Sequence, residues 1–372
     1  MQVLYPALYT IFVMFLTLVR PRPSVDSLST HVQKTYPSKR IVRSAKQVRG
    51  KATSMLVQET YSGPSSAHQS VLLQECLEYL ALRPGMIAVD CTLGLGGHAS
   101  EILKAIGPKG FLYAFERDER NLKVAEKRLG EIGKNFKIFH DSFGSLKDRL
   151  RREGVSHADA ILFDLGLSSP HVDDAGRGFS FLKEGPLDMR FDASQGQTAA
   201  DLLNSSTELE LADIFYKYGE ERFSRKLARA VIQDRKKEPF QSTTQFAAFV
   251  ERVLGRGKPG HHRATQIFQA LRIAVNEELM ALELGLNQAI ELLAPQGRVV
   301  VLSYHSLEDR FVKQLFKQLA TDLRDPTDLF GRRVLRSKSL SLLNKKPIRP
   351  SAQEVHLNTR ARSALLRAAE KL

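Results

Sequence analysis

Ala88-Val-Asp-Cys-Thr-Leu-Gly-Leu-Gly-Gly-His-Ala99 decides how the rest of the chain is read. Ala88 and Val89 end an apolar run that begins at Met86, while Gly94, Gly96 and Ala99 fit G-x-G-x-x-G/A ahead of an amphipathic run, Ala99 to Ile106. A strand, a glycine turn and a helix in that order let backbone approach a ligand closely at the helix N-terminus. Glu116 closes the next apolar run about 20 residues on, where an acid takes a ribose diol.

Outward from this turn, the strands Met86 to Val89, Phe111 to Phe115, Lys137 to His140 and Ala160 to Phe163 alternate with helices at Val71 to Leu82, Ala99 to Ile106, Glu119 to Leu129 and Leu146 to Arg152. A period of about 25 residues per strand and helix is that of βαβ units, so an α/β fold with a parallel, doubly wound sheet is expected. The rhythm stops at Gly166. Gly176 to Asp192 is loop-like, and helical patterns follow at Ala199 to Leu203, Glu208 to Tyr216, Glu221 to Asp234 and Thr243 to Leu254. A long helix, Gln266 to Leu293, then leads to the buried strand Arg298 to Ser303. The economical reading is a sheet domain in two parts, 66–175 and 265–372, interrupted by an inserted all-helical domain at 176–264.

The chain has 372 residues, 42% hydrophobic and 26% charged, which argues against disorder throughout, collagen-like repeats and a multi-span membrane protein. Two cysteines, Cys76 and Cys91, make no disulfide framework and suit a reducing compartment. The formal charge of +14 is uneven: residues 1–54 carry about +8, Gly331 to Leu372 about +9, and the body about −3. Basic ends favour a polyanionic partner, with the C-terminal stretch around Arg332, Arg333 and Arg336 as the expected electrostatic footprint. Residues 1–54 read either as a targeting or anchoring segment or as an extension ahead of a start at Met55. Val3 to Val19 is apolar but slightly short for a membrane span, so membrane contact is expected only if it is a real anchor. The expected location is the cytoplasm, or an organelle matrix if the extension is an address. Nothing in the sequence fixes the oligomeric state, a dimer being one option.

Asp90 bears on the choice of cofactor. A carboxylate at this strand end repels a pyrophosphate and attracts the ammonium of S-adenosylmethionine, which favours the methyl donor over a nicotinamide dinucleotide. His140-Asp-Ser-Phe143, after the third strand, offers a polar group for an adenine edge and Phe143 for its face. The fourth strand ends in Asp164-Leu-Gly-Leu-Ser-Ser-Pro-His171 at the carboxyl edge, where such folds bind ligands. Ser169-Pro170-His171 partly matches the polar-proline-aromatic motif of methyltransferases acting on exocyclic amines. An amine conjugated with its ring needs hydrogen-bond acceptors that redirect its lone pair toward the methyl group, so Ser169, Pro170 and Asp164 are the catalytic candidates.

Eight segments carry a specific resemblance: Leu93-Gly-Leu-Gly-Gly-His98, Phe163-Asp-Leu-Gly-Leu-Ser-Ser-Pro170, Arg177-Gly-Phe-Ser-Phe181, Gly185-Pro-Leu-Asp-Met-Arg190, Tyr218-Gly-Glu-Glu-Arg-Phe223, Phe268-Gln-Ala-Leu-Arg272, Ser303-Tyr-His-Ser-Leu-Glu-Asp-Arg310 and Asn358-Thr-Arg-Ala-Arg-Ser363. From about His68 onward the chain resembles the bacterial ribosomal RNA small subunit methyltransferase H family. The resemblance implies a Rossmann-like class I S-adenosylmethionine-dependent methyltransferase domain with a helical insertion, acting on N4 of a cytidine in the decoding region of 16S rRNA within the 30S subunit. It implies S-adenosyl-L-methionine contacts at Gly96, Gly97, His98, Glu116, Phe143, Asp164 and His171, to which the motif reading adds Asp90 and Gly94. Glu116 and His171 stand where aspartate and glutamine are commoner in that family.

The loop Gly176 to Asp192 holds three phenylalanines, Arg177, Arg190 and two acids, and is expected to be a lid over a flipped base, with Arg177, Phe179, Asp188 and Arg190 as RNA contacts. The other reading of this loop is a buried plug. Ser306-Leu-Glu-Asp309 reads as a capping box, and His305 before it is a further substrate candidate. Arg222, Arg225, Lys226 and Arg229 form a basic stripe, either a phosphate grip or a solvated face. No metal site is expected, because no His/Cys spacing fits a chelate. A nucleophile with a base is also missing, so direct in-line transfer is expected rather than a covalent enzyme–cytosine intermediate. The rival class is a non-catalytic RNA-binding or ribosome-assembly factor on the same scaffold, against which the intact glycine turn, Asp90 and Asp164 argue.

Overall fold

The apolar runs become strands covered on both faces, as parallel strands require. In the computed structural model, which describes residues 70–257, 262–328 and 333–372, β1 (Ile87–Asp90), β2 (Phe111–Glu116), β3 (Phe136–His140), β4 (Ala158–Asp164) and β5 (Leu293–Ser303) pair in parallel. A small ribbon, β6 (Leu323–Arg324) with β7 (Val334–Arg336), follows. β8 (Leu340–Leu342) and β9 (Leu365–Lys371) then extend the main sheet, β9 lying antiparallel to both β5 and β8. The strand order is β3-β2-β1-β4-β5-β9-β8. Connections run one way from β1 and the other way from β4, which opens a crevice at the carboxyl ends of these two strands.

α1 (Leu73–Leu80), α2 (Gly97–Ile106) and α3 (Glu119–Gly130) cover one face, burying Leu80, Ile102, Leu103, Ile106 and Leu129 against β1, β2 and β4. α4 (Leu146–Arg152) packs on the other face, and α5 (Ser169–Asp173) follows β4. Between β4 and β5 the described chain is helical: α6 (Ala199–Ser205), α7 (Glu208–Lys217), α8 (Ser224–Asp234), α9 (Thr243–Leu254), α10 (Arg263–Asn276) and α11 (Glu278–Leu292). Capping boxes open three of these, Thr198 with Asp201, Thr207 with Glu210 and Ser242 with Gln245. The helices bury a core of their own, with Leu203, Leu211, Phe215, Leu227, Phe246 and Leu271 at its centre, while Ser65–Leu372 forms one compact unit. α12 (Ser306–Leu319) and α13 (Ala352–Leu357) complete the described helices.

Two expectations are corrected here. The long helix read over Gln266 to Leu293 is broken at Glu277, which adopts left-handed backbone with φ 52°. The break frees Asn276 to act as a pin. Its Nδ2 donates to Met189 O at 2.7 Å, its Oδ1 accepts from Phe191 N at 2.8 Å, and its carbonyl accepts from Arg117 at 2.7 Å. β5 also starts five residues before the apolar run at Arg298, because Leu293 pairs with Ala158 across an irregular step.

Candidate cofactor and substrate site

A cavity of about 390 Å³ lies in the crevice at the carboxyl edge of the sheet. The turn after β1 contributes Thr92, Leu93, Gly94, Gly97 and His98; the end of β2 contributes Glu116 and Arg117; the turn after β3 contributes Asp141, Ser142 and Phe143. Asp164 through Ser169 and His171 enter from β4 and α5, and Tyr304 from the end of β5.

Asp164 is held on the cavity wall by two side chains. Tyr304 Oη donates to its Oδ1 at 2.7 Å, and His98 Nδ1 stands 3.4 Å from its Oδ2. Burial and the neighbouring carboxylate push the Tyr304 phenol well above its ordinary range, so it stays a donor. Burial is the largest single influence and works against a charge on His98, yet the bonds to Asp164 and Cys76 and the charges of both groups together outweigh it and raise the imidazole well above its usual value. The other ring nitrogen of His98 reaches Val71 O at 3.1 Å. The Tyr304 ring lies close to Gly166, where φ is +99° and a Cβ would sit 3.3 Å from the ring, so the backbone favours glycine and the approach leaves little room for a side chain. Asp164 thus keeps a fixed orientation on the cavity wall.

Glu116 sits at the other end of the cavity. Its Oε1 accepts from Asp118 N at 2.8 Å, and burial pushes its carboxyl up to about 7. A ribose diol binds the ionised form better, since a carboxylate accepts two hydroxyls. Binding therefore releases a proton when the free carboxyl is protonated. Cofactor affinity should rise as pH increases from 6 toward 7 and flatten above it, and Glu116→Gln should lose both the rise and roughly ten- to a hundredfold of affinity. Calorimetric titration with S-adenosylmethionine at several pH values measures this directly. A wild-type affinity independent of pH would remove Glu116 from the diol site.

Phe143 lines the cavity and meets Phe163 edge-on at 5.4 Å. It also presses on Gly285 of α11, so its ring is fixed from behind. His171 is buried; the backbone and hydroxyl of Ser168 approach its Nδ1 at 3.1 and 2.8 Å, and its Nε2 faces Asp118 Oδ2 at 3.2 Å. Burial lowers its pKa, so a neutral ring wedged beside the cavity wall results. Ser169 Oγ is held by Arg360, which also pairs with Asp173 at 2.6 Å, and Pro170 opens α5.

Several sequence expectations change place. Asp90 is 1% exposed and lies outside the lining. Its Oδ1 accepts from Thr92 N at 3.0 Å, its Oδ2 has no partner, and burial pushes it up to about 6, so it supports the turn from behind rather than meeting an ammonium. Gly96 is likewise outside the lining, close against Ala125 of α3. Arg177 is no RNA contact: it is 6% exposed and ion-paired with Asp118. Phe179 is buried and stacks on Phe191 at 5.4 Å, and Arg190 is clamped by Asp188 through contacts of 2.8 and 2.9 Å. Leu187 and Met189 sink into the helical core. The loop is mostly the buried plug, not a stacking lid, because Phe179, Leu187 and Met189 find better cover between layers than over solvent, while Leu182 at its tip stays exposed; of its rings only Phe191 reaches the cavity.

The capping box after β5 is shifted by one residue. His305, not Ser306, is the cap, with Nδ1 near Glu308 N at 3.4 Å, and Asp309 pairs instead with Arg367 of β9 at 2.7 Å. His305 lies behind the wall formed by Tyr304 and Glu308 and is outside the lining, so it does not meet substrate there. Glu278, His305 and Glu308 bring three metal-type ligand atoms within 4.8 Å of one another, a grouping that sequence spacing could not reveal. Arg272 already supplies the countercharge, bonding both oxygens of Glu278 at 2.7 and 2.9 Å. Arg333 is exposed beside β7 and pairs with Asp325 at 3.2 Å, while Arg332 and residues 1–69 lie outside the described residues. Tyr304, Arg117, Asn358 and Arg360 line the cavity without having been singled out. Tyr304 lies in the Ser303 to Arg310 motif at a strand end, and Asn358 and Arg360 lie in the Asn358 to Ser363 motif, a C-terminal segment whose return to the sheet edge no local pattern announces.

The family model described as the MraW methylase family matches residues 65–372. The chain is 46% identical over 305 residues to "Ribosomal RNA small subunit methyltransferase H" of Dictyoglomus turgidum, covering 82% of this chain and 97% of that one. It is 44% identical over 308 residues to the protein of the same name from Alteromonas mediterranea, again covering 82% and 97%.

Proposed function

The chain belongs to the MraW methylase family, and from that premise we propose that it methylates the exocyclic N4 amine of a cytidine in the decoding region of small-subunit rRNA. The coarser statement, an S-adenosylmethionine-dependent rRNA methyltransferase, rests on the family and on relatives that carry that activity in their names. The observation that supports the finer one is the carboxylate of Asp164, held by Tyr304 and His98 on the cavity wall.

S-adenosylmethionine, when bound, supplies an electrophilic methyl group on a sulfonium. Gly94, Gly97 and His98 line the place for its amino-acid end, Glu116 the ribose, and Asp141, Ser142 and Phe143 the adenine. An aniline-like amine is a weak nucleophile because its lone pair is shared with the ring. Asp164 accepts a hydrogen of that amine, which draws the lone pair out of conjugation, and it can take the proton that the amine loses on methylation. Tyr304 and His98 hold the carboxylate ready, so little reorganisation is needed at the moment of transfer.

Cys91 lines the same cavity, but burial pushes its thiol well above the ordinary range. A protonated, 1% exposed thiol is a poor nucleophile toward a pyrimidine ring, which supports direct transfer to nitrogen over a covalent route to carbon. With a body charge near −3, general attraction for RNA is small, so recognition by shape on an assembled particle is the expected mode. In an assay with labelled methyl donor, unmethylated small subunits should be methylated much faster than a short RNA of the same sequence. Equal specificity constants would place recognition in the local sequence instead.

A further inference from the structure

The segment Tyr218-Gly-Glu-Glu-Arg-Phe223 joins α7 to α8, and most of it is consumed in building a rigid turn. A Cβ at Gly219 would come 2.7 Å from Phe215 O and 3.1 Å from Gln266 O, so only glycine fits between α7 and α10. Glu220 has left-handed backbone with φ 50° and is tied to the start of α12, accepting from Ser306 Oγ at 2.8 Å and from Arg310 at 2.9 Å. Glu221 is buried, accepts from Phe223 N at 2.8 Å and faces Arg263 at 3.4 Å. A strained residue held by two cross-element bonds marks a conformation that the surroundings enforce.

What this turn presents is different in kind. Phe223 is 53% exposed, and Tyr216, just before the turn, is 61% exposed. Arg222 and Arg225 are exposed, and among the described residues neither has a carboxylate partner, whereas Arg229 of the same stripe pairs with Glu208 and Lys226 donates to Val253 O. Two free guanidinium groups beside an uncovered ring are the elements of a single-stranded nucleic-acid platform: phosphates for the cations, a base face for the ring. The location fits as well. Ser306 and Glu308, on the helix that Glu220 grips, come two and four residues after Tyr304 of the cavity wall, and Phe223 lies three residues from Glu220, no more than about 11 Å along the chain.

We propose that Arg222, Phe223 and Arg225 form a docking surface for the unpaired rRNA strand that flanks the target nucleotide, Phe223 stacking on a neighbouring base while the two arginines hold its phosphates. This rests on the rRNA reading above and adds where the strand runs. The three side chains are solvent-facing, so replacing them should leave the fold and the cofactor site intact.

The test is methylation kinetics and binding on small-subunit particles for Phe223→Ala and for Arg222→Ala with Arg225→Ala, alongside the wild type. Phe223→Ala should weaken particle binding by about tenfold, the worth of a lost base stack. The double arginine variant should weaken it further at low salt and reduce the slope of log affinity against log salt by about 1.5, the share of two phosphate contacts. Melting temperature and S-adenosylmethionine affinity should match the wild type. If wild type methylates the particles and both variants keep its affinity and salt slope, the surface is not an RNA platform, though the rRNA reading survives. For the double arginine variant, weakened binding with an unchanged salt slope would assign the face to a ribosomal protein and overturn the proposal. If wild type neither binds nor methylates the particles, the rRNA reading itself fails.

Discussion

Asp164→Asn is expected to lower kcat for methyl transfer by about a hundredfold or more, with little change in S-adenosylmethionine affinity. The amide keeps the shape and an oxygen acceptor for Tyr304, but removes the charge that draws on the substrate amine. Losing one preorganised electrostatic contact to the reacting group costs on the order of 10² to 10³ in kcat. Tyr304→Phe should act in the same direction and more weakly, because the phenol only orients the carboxylate, through its 2.7 Å bond. A hydrogen bond to a charged group is worth about 1.5 to 3 kcal/mol, most of which a mobile but still charged Asp164 would recover by hydration. Single-turnover rates with saturating cofactor separate the two variants from defects in binding. A wild-type rate in Asp164→Asn would move the amine acceptor to a backbone carbonyl of the Leu165 to Ser169 turn.

Arg177→Ala should destabilise the protein by about 3 to 5 kcal/mol without touching chemistry at the cavity. Asp118 is 3% exposed and nearly encircled: its Oδ1 accepts from Arg120 N at 2.9 Å, and its Oδ2 faces His171 and Arg177. Burial alone would raise its carboxyl, but the bonds from His171 and Arg120 and the Arg177 charge together hold it down to about 2. Removing the guanidinium leaves a buried carboxylate short of its main countercharge. Denaturant unfolding of wild type and variant measures the loss, and Arg177→Ala with Asp118→Asn should recover part of it. A loss under about 1 kcal/mol together with weaker RNA binding would return Arg177 to the substrate surface.

The same arginine shows where reading a sequence stops. The strand, glycine turn and helix from Ala88 to Ile106 were legible because all the information is local: an apolar run, glycines where backbone must turn, then amphipathic spacing. Asp164 was legible for a related reason, since a polar residue ending a buried strand lies at the ligand-binding edge of such sheets. Arg177 and Asp118 are 59 positions apart, and no local pattern shows that each buries the other's charge. An arginine among phenylalanines in a loop looks like an RNA contact until its partner is known. Asp90 misled in the opposite sense: it does end the strand, but its side chain is buried behind the turn and outside the cavity lining, whereas Asp164 at the end of the neighbouring strand reaches the cavity. The break at Glu277 was hidden because Asn276 and Glu277 sit inside an unbroken helical pattern, and the reason for the break, the bonds from Asn276 to Met189 and Phe191, is tertiary.

Direct transfer of a methyl group to the N4 amine of an rRNA cytidine is tested most sharply by the identity of the modified nucleoside. Small subunits from a strain lacking the modification would be incubated with the protein and labelled S-adenosylmethionine, the RNA digested to nucleosides, and the label located by mass spectrometry. Label is expected in N4-methylcytidine at one position, with a rate of labelling about a hundredfold lower in Asp164→Asn. Label in 5-methylcytidine or in a ribose 2′-O-methyl nucleoside would contradict it, since neither product calls for a carboxylate acceptor facing an exocyclic amine.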